Sequence, residues 1–280
     1  MNNFFKVFHN SSKSKARVGE IKSDHGTMKT PAFISAATKG TIKTLTPQQV
    51  KEIGIQGACV NTYHLVTHPG ADVIEKAGGI QKYSGLDIFT MSDSGGFQVF
   101  SLAKVNLNLG SVFFDRHTPK GAPGDFQKIL APRLKKNQTR KADVRGEEEP
   151  FVVKISEDGV KFRSTYDGQL IEFTPEKSME FQRKIGADIN MAFDECTHYP
   201  ATHEYAEKAM KRTHEWLKRC IKYKESSIPK FFDGKQKTAK NLVPSLLTSH
   251  QSLVTSHQYL YGVIQGGTFE DLRKKSAEFV

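Results

Sequence analysis

Apolar and polar positions alternate in two different rhythms along the chain. The first thirty-odd residues read as strands broken by turns: Phe4–His9, Ala16–Lys22 and Pro31–Ser35, separated by Asn10-Ser-Ser-Lys-Ser and Asp24-His-Gly. Short apolar runs then alternate with helical segments. Thr46-Pro47 is an N-cap with Pro at the first helical position, and Gly54 closes that helix. Gly57–Thr62 predicts a strand, Pro69–Ala77 a helix ended by Gly78-Gly79, and Leu86–Met91 another strand. Further on, Thr174-Pro175 opens a helix running to Gly186, and Ala187–Phe193 is an apolar strand. Thr202 caps a long helix to about Tyr223. Its Ala206, Ala209, Met210, Trp216, Leu217, Cys220 and Ile221 recur at three- and four-residue steps and mark one buried face. Tyr259–Ile264 predicts a strand and Phe269–Val280 a final helix. Strand–helix alternation with short links argues for a parallel β/α architecture.

Two segments break the rhythm. Residues 104–150 lack clear periodicity, and Lys128–Arg145 is rich in Lys and Arg, so this stretch reads as an inserted, partly mobile loop. Residues 224–258 hold Ser245-Leu-Leu-Thr-Ser-His-Gln followed at once by Ser252-Leu-Val-Thr-Ser-His-Gln. Two copies of seven residues are too few for a coiled coil or a solenoid, so a duplicated surface insertion is expected, with no role for His250 or His257. Between the insertions, Phe151–Ser156 and Gly159–Ser164 predict a hairpin across Glu157-Asp158, leading to Leu170–Phe173. The whole of residues 1–280 is expected to be one domain interrupted by these insertions.

Composition adds three limits. The formal net charge is +11, which favours a polyanionic partner such as nucleic acid, against the plainer account of an indifferent basic surface. No apolar stretch approaches the ~20 residues that span a bilayer, and no signal peptide is visible, so no membrane association is expected. The three cysteines, Cys59, Cys196 and Cys220, are widely spaced, which fits a reducing cytoplasm and gives neither a disulfide framework nor a zinc pattern.

In parallel β/α folds the ligand lies beyond the carboxyl ends of the strands. The residues that follow the apolar runs are Asn61-Thr-Tyr-His64, Asp93-Ser94-Gly95-Gly96-Phe97-Gln98, Asp194-Glu-Cys196 and Gln265-Gly-Gly267. Four polar endings in phase point to a single site at one barrel mouth. The Asp93 turn supplies N–H groups at two glycines and a carboxylate that can exchange a proton, or is a tight turn with an Asp cap. Phe97 stacks on a flat ligand or belongs to the core. His64 is a site residue or a structural histidine, and Asp194 caps the next segment if it is not a site residue. Two carboxylates, an amide, N–H groups and an aromatic suit a purine-like base; paired carboxylates equally suit glycosyl chemistry, as in a glycoside hydrolase.

Asn61-Thr-Tyr-His-Leu65, Asp93-Ser-Gly-Gly-Phe-Gln98, Met191-Ala-Phe-Asp-Glu-Cys-Thr197 with Tyr199-Pro-Ala-Thr202, and Tyr261-Gly-Val-Ile-Gln-Gly-Gly267 resemble tRNA-guanine transglycosylase, also called queuine tRNA-ribosyltransferase. Pro31-Ala-Phe-Ile-Ser and Thr41-Ile-Lys-Thr-Leu-Thr-Pro are similar to its early region. The resemblance implies a TIM (β/α)8 barrel, incomplete in this chain, with an N-terminal antiparallel β segment. It implies a cytoplasmic pentosyltransferase that exchanges guanine at the wobble position of tRNAs with GUN anticodons for a deazaguanine base by double displacement. Asp93 is then the acid/base; Ser94, Gly95, Gly96 and Phe97 line the base pocket; Asp194 and Gln265 hydrogen-bond the base. Cys196 in Asp-Glu-Cys resembles the bacterial form, which takes the preQ1 base. The resemblance also implies tRNA and guanine or preQ1 as partners, a homodimer, and a structural zinc. The family's nucleophilic Asp motif and its Cys/Cys/Cys/His zinc ligands have no counterpart in these residues. The chain is therefore expected to be an N-terminal portion with little transferase activity of its own, or a non-catalytic tRNA-binding subunit of a transglycosylase pair.

Overall fold

A computed structural model describes residues 4–98, 152–164, 167–227 and 257–280. Both insertion readings fall mainly outside these residues. The chain divides into two compact units, Met1–Phe97 with Glu157–Gly159 and Phe173–Val280, and Gln98–Ser156 with Val160–Glu172.

The first unit opens with an antiparallel sheet of β1 (Phe5–Asn10), β2 (Arg17–Ser23) and β3 (Gly26–Thr30), in register Phe5↔Ile21 and Gly19↔Thr30. The expected strand at Pro31–Ser35 is not formed. Strand β4 is only Ser35–Ala36, because the parallel pairing with β5 covers just Ser35 and Ala36, and Phe33 is 83% exposed.

β4 begins a five-stranded parallel sheet with β5 (Gly57–Val60), β6 (Phe89–Ser92), β10 (Ile189–Met191) and β11 (Tyr259–Tyr261), in the order β11-β10-β6-β5-β4. β5 and β6 are buried along nearly their whole length, as expected for parallel strands covered on both faces. Helix α1 (Pro47–Glu52) is held at its start by a capping box between Thr46 and Gln49. Between β5 and β6 run three short helices, α2 (Thr62–Thr67), α3 (Ala71–Lys76) and α4 (Ile80–Ser84). Val50, Leu65, Ile74, Ile80 and Ile185 pack with Ala58 and Val60 into one apolar layer. Helix α5 (Pro175–Ile185) starts at Thr174, whose side chain accepts the Lys177 N–H, and ends at left-handed Gly186. Helix α6 (His203–Ser227) follows β10, and α7 (Glu270–Phe279) follows β11.

The buried face of α6 holds six of the seven apolar positions named from spacing. Ile221 departs from it at 42% exposed, because it borders an open groove lined by Leu217, Lys224, Leu260, Gly262 and Val280. α6 also runs to Ser227, into the stretch expected to be an insertion. At the amino ends of the parallel strands, Met28 of β3 packs with Phe89 and Ile189, so the antiparallel sheet covers the end of the sheet opposite the strand carboxyl termini.

The second unit holds a three-stranded sheet of β7 (Val152–Ile155), β8 (Val160–Arg163) and β9 (Leu170–Phe173), of which β9 ends at the boundary with the first unit. β7 and β8 are antiparallel, as the sequence predicts, with Ile155 opposite Val160.

Candidate active site

Sheet order settles which strand ends are neighbours. β5, β6, β10 and β11 lie side by side and parallel, so Asn61, Asp93, Asp194 and Gln265 emerge in a row at one edge. The four polar endings therefore converge.

Asp93 is the first residue after β6, and its N–H donates to the Val60 carbonyl at 3.1 Å. One carboxylate oxygen accepts from the Thr62 N–H at 2.8 Å and the Gly95 N–H at 3.1 Å; the other accepts from the Asn61 amide. The Thr62 hydroxyl donates to the Asp93 carbonyl at 2.6 Å. The carboxylate is thus gripped from β5 as well as from its own turn.

Asp194 is held differently. Its Oδ1 accepts from the Ser94 hydroxyl at 2.8 Å and its Oδ2 from the Gln265 amide at 2.8 Å. Ser94 is in turn fixed by the Gly96 N–H, which donates to its Oγ at 3.1 Å. Burial pushes the Asp194 carboxyl up to about 6 and the nearby Asp93 charge adds to this, while the Ser94 and Gln265 donors pull it back. A backbone hydrogen bond at Asp194 itself pulls in the same direction.

The turn needs its glycines. Gly95 sits at φ 80°, in the left-handed region, and a Cβ there would lie 2.7 Å from the Phe173 ring. A Cβ on Gly96 would lie 2.5 Å from the Asp194 carbonyl oxygen. Close approach of the β6 and β10 ends thus depends on Gly96, and that of the Phe173 ring to the turn on Gly95. Phe97, next along, is 60% exposed, which removes the core alternative for its ring.

Residues 11–123 and 146–280 match the model of the family described as queuine tRNA-ribosyltransferase. The chain belongs to the queuine tRNA-ribosyltransferase family. The curated queuine tRNA-ribosyltransferase of Thermoanaerobacter pseudethanolicus is 35% identical over 274 residues, covering 98% of this chain and 53% of the relative. Those of Lysinibacillus sphaericus and Nostoc sp. are 34% and 35% identical, covering 98% of this chain each and 52% and 53% of the relatives. The chain spans about half the length of the curated relatives it matches.

The family's structural zinc finds no fit here. Among the described residues no group of three or more His, Cys, Asp or Glu side chains is placed to hold a metal ion. Cys59 lies on β5, Cys196 beyond β10 and Cys220 on α6. Burial pushes the Cys59 thiol up to about 11 and the Cys220 thiol up to about 12, in keeping with structural roles. His64 is half-buried, edge-on to Tyr63 at 5.1 Å, and burial with the Lys39 charge pushes its pKa down against the pull of Asp93.

Three further residues, whose roles the sequence does not single out, hold this cluster together. Asn61 and Thr62 stand in the sequence as a strand ending and part of a family motif, without a role of their own. Glu195, between Asp194 and Cys196, is buried; it accepts from the Tyr205 hydroxyl at 2.7 Å and from Arg212, and its N–H donates to the Thr213 hydroxyl at 3.0 Å. Glu195 thereby ties the Asp194 segment to α6. A third acidic letter beside Asp194 was the signal for it.

Proposed function

We propose that this chain carries the base-recognition half of a tRNA-guanine transglycosylase, in which guanine at the tRNA wobble position is exchanged for preQ1 by double displacement. The observation that carries the reading is the row of Asp93, Asp194 and Gln265 at adjacent strand ends beside an exposed Phe97. The Asp194 carboxylate is an acceptor that suits the ring N–H and exocyclic NH2 of guanine. The second hydrogen of the Gln265 amide supplies a donor for the ring carbonyl, and Phe97 stacks on the ring. The target nucleotide must leave its stack to reach such a pocket. Asp93 then takes the proton of the incoming base as that nitrogen bonds to the ribose carbon and the enzyme's own carboxylate departs.

tRNA is the proposed macromolecular partner, supported by the +11 charge. The cytoplasm and a homodimer belong to the same reading. Among the described residues no helix is long and apolar enough to cross a membrane. The proposed frame is a (β/α)8 barrel of which this chain forms the first strands, supported by the five parallel strands. The test is calorimetric titration of guanine into the full chain. Asp194→Asn should weaken binding at least tenfold, about the 1.4 kcal/mol of one charge-assisted hydrogen bond. Unchanged affinity would sink the reading. tRNA binding with no exchange of labelled guanine, even in a longer form carrying these residues, would favour a non-catalytic subunit.

A further inference from the structure

Helix α5 stands outside the row of strand ends, yet an unbroken line of hydrogen bonds runs from it to Asp194. Gln182 is fully buried. Its amide oxygen accepts from the Met191 N–H at 2.9 Å and from the Ser92 hydroxyl at 2.8 Å, the shortest contact open to that hydroxyl. Its amide nitrogen donates to the Met191 carbonyl at 2.8 Å and to the Ser178 hydroxyl oxygen at 3.1 Å. A primary amide has two donor hydrogens and two acceptor sites, so all four are used. Ser178, also fully buried, donates to the Ser94 carbonyl at 2.8 Å, and Ser94 donates to Asp194.

The place where this happens matters. The backbone pairing between β6 and β10 covers only Met91 and Ser92 against Ile189 and Asn190. Beyond it the backbone pairing stops, one chain running to Asp93 and the other to Asp194. Gln182 pairs with both main-chain groups of Met191, as a neighbouring strand would, at the point where the ladder stops. It grips Ser92 on the other chain at the same time.

We infer that Gln182 and Ser178 are positioning residues for the Asp93–Asp194 pair, tying the ends of β6 and β10 to one helix and aiming the Ser94 hydroxyl at Asp194. The inference deepens the function proposed above and rests on it for its catalytic consequence. The arrangement itself needs no substrate. If the line works as stated, loosening it withdraws a donor from the charged form of Asp194, and the carboxyl titrates higher. The groups that act on that carboxyl are Asp93 from the β6 turn, the neutral Gln265 amide beyond β11, and the Cys220 thiol on α6, which feels the Asp194 charge. All remain in the variants below.

The experiment follows the Asp194 carboxyl carbon by NMR across pH 4–8 in the full chain without ligand, its signal assigned by loss in Asp194→Asn. Ser178→Ala should raise the midpoint by about half a unit or more, and Gln182→Met by a similar amount. The double variant should shift no further than the larger single one, because both act through one line. Midpoints equal to the parent's in both single variants, even with lowered thermal stability, would mean a packing role alone and overturn the inference. So would fully additive shifts. Should Gln182→Met not fold, Ser178→Ala decides by the same midpoint. Guanine failing to bind the parent chain would count against the proposed function and leave the titration to stand by itself.

Discussion

Asp194 is pulled two ways at once. Burial favours its neutral form, while Ser94 and Gln265 present hydrogens that only a carboxylate accepts well. The outcome is a group raised from 3.8 to about 6. A folded value above the unfolded one means tighter proton binding in the native state. The associated stability is fully present below about pH 4 and is lost as pH rises through 6. Two units correspond to about 3 kcal/mol at most. Asp194→Asn should therefore flatten the fall in urea-unfolding stability between pH 4 and 7 and gain stability at pH 7, while weakening guanine binding. Parallel pH curves for the parent and Asp194→Asn would refute the assignment. A buried carboxylate that costs stability at working pH fits the base-recognition role proposed for Asp194.

At the scale of elements, the signals that were legible are local ones. Thr174-Pro175 and Gly186 bracket α5 because a cap, a fixed φ and a left-handed glycine act within one turn. The strand endings were legible because a parallel sheet sends every carboxyl end to the same edge, so polar residues in phase need no long-range knowledge. Helices α2 and α4 escaped notice because six or five residues show too little of a 3.6-residue period, and α2 is buried through Thr62, Tyr63 and Leu65 together. The Glu195–Arg212 contact was illegible for another reason. It joins a loop to a residue about two and a half turns along α6, and its existence depends on the rotation of that helix. Arg212 also donates to Glu157 at 2.9 Å. Removing the guanidinium leaves a buried carboxylate with only Tyr205 and no countercharge. Arg212→Ala should cost about 3–5 kcal/mol in urea denaturation, the range for breaking a buried pair from one side. A loss below 1 kcal/mol would show that α6 holds the Asp194 segment by packing alone.

Across the whole parallel sheet, the two ends carry different kinds of polar group. The carboxyl ends hold the carboxylates Asp93 and Asp194. At the amino end, Asp188 precedes β10 and is fully buried; it accepts from the Thr90 N–H at 2.8 Å and pairs with His25 Nδ1 at 2.9 Å. His25 lies in the turn joining β2 and β3, so this pair fastens the antiparallel sheet to the amino ends of the parallel one, beside the packing of Met28 on Phe89 and Ile189. The hydrogen bond to Asp188 raises the His25 pKa, with burial opposing it and the Asp24 and Asp87 charges assisting. The stability of this fastening is thus complete below about pH 6.5, the unfolded value, and is lost as pH rises through the folded one. His25→Leu should lower unfolding stability by about 1–2 kcal/mol at pH 6 and by less at pH 8. Six residues of extended chain separate Asp188 from Asp194, about 20 Å, so the same variant should leave guanine affinity unchanged. Equal losses at both pH values would assign His25 a packing role. A change in guanine affinity would mean that the two ends of the sheet are coupled, contrary to a rigid parallel core between them.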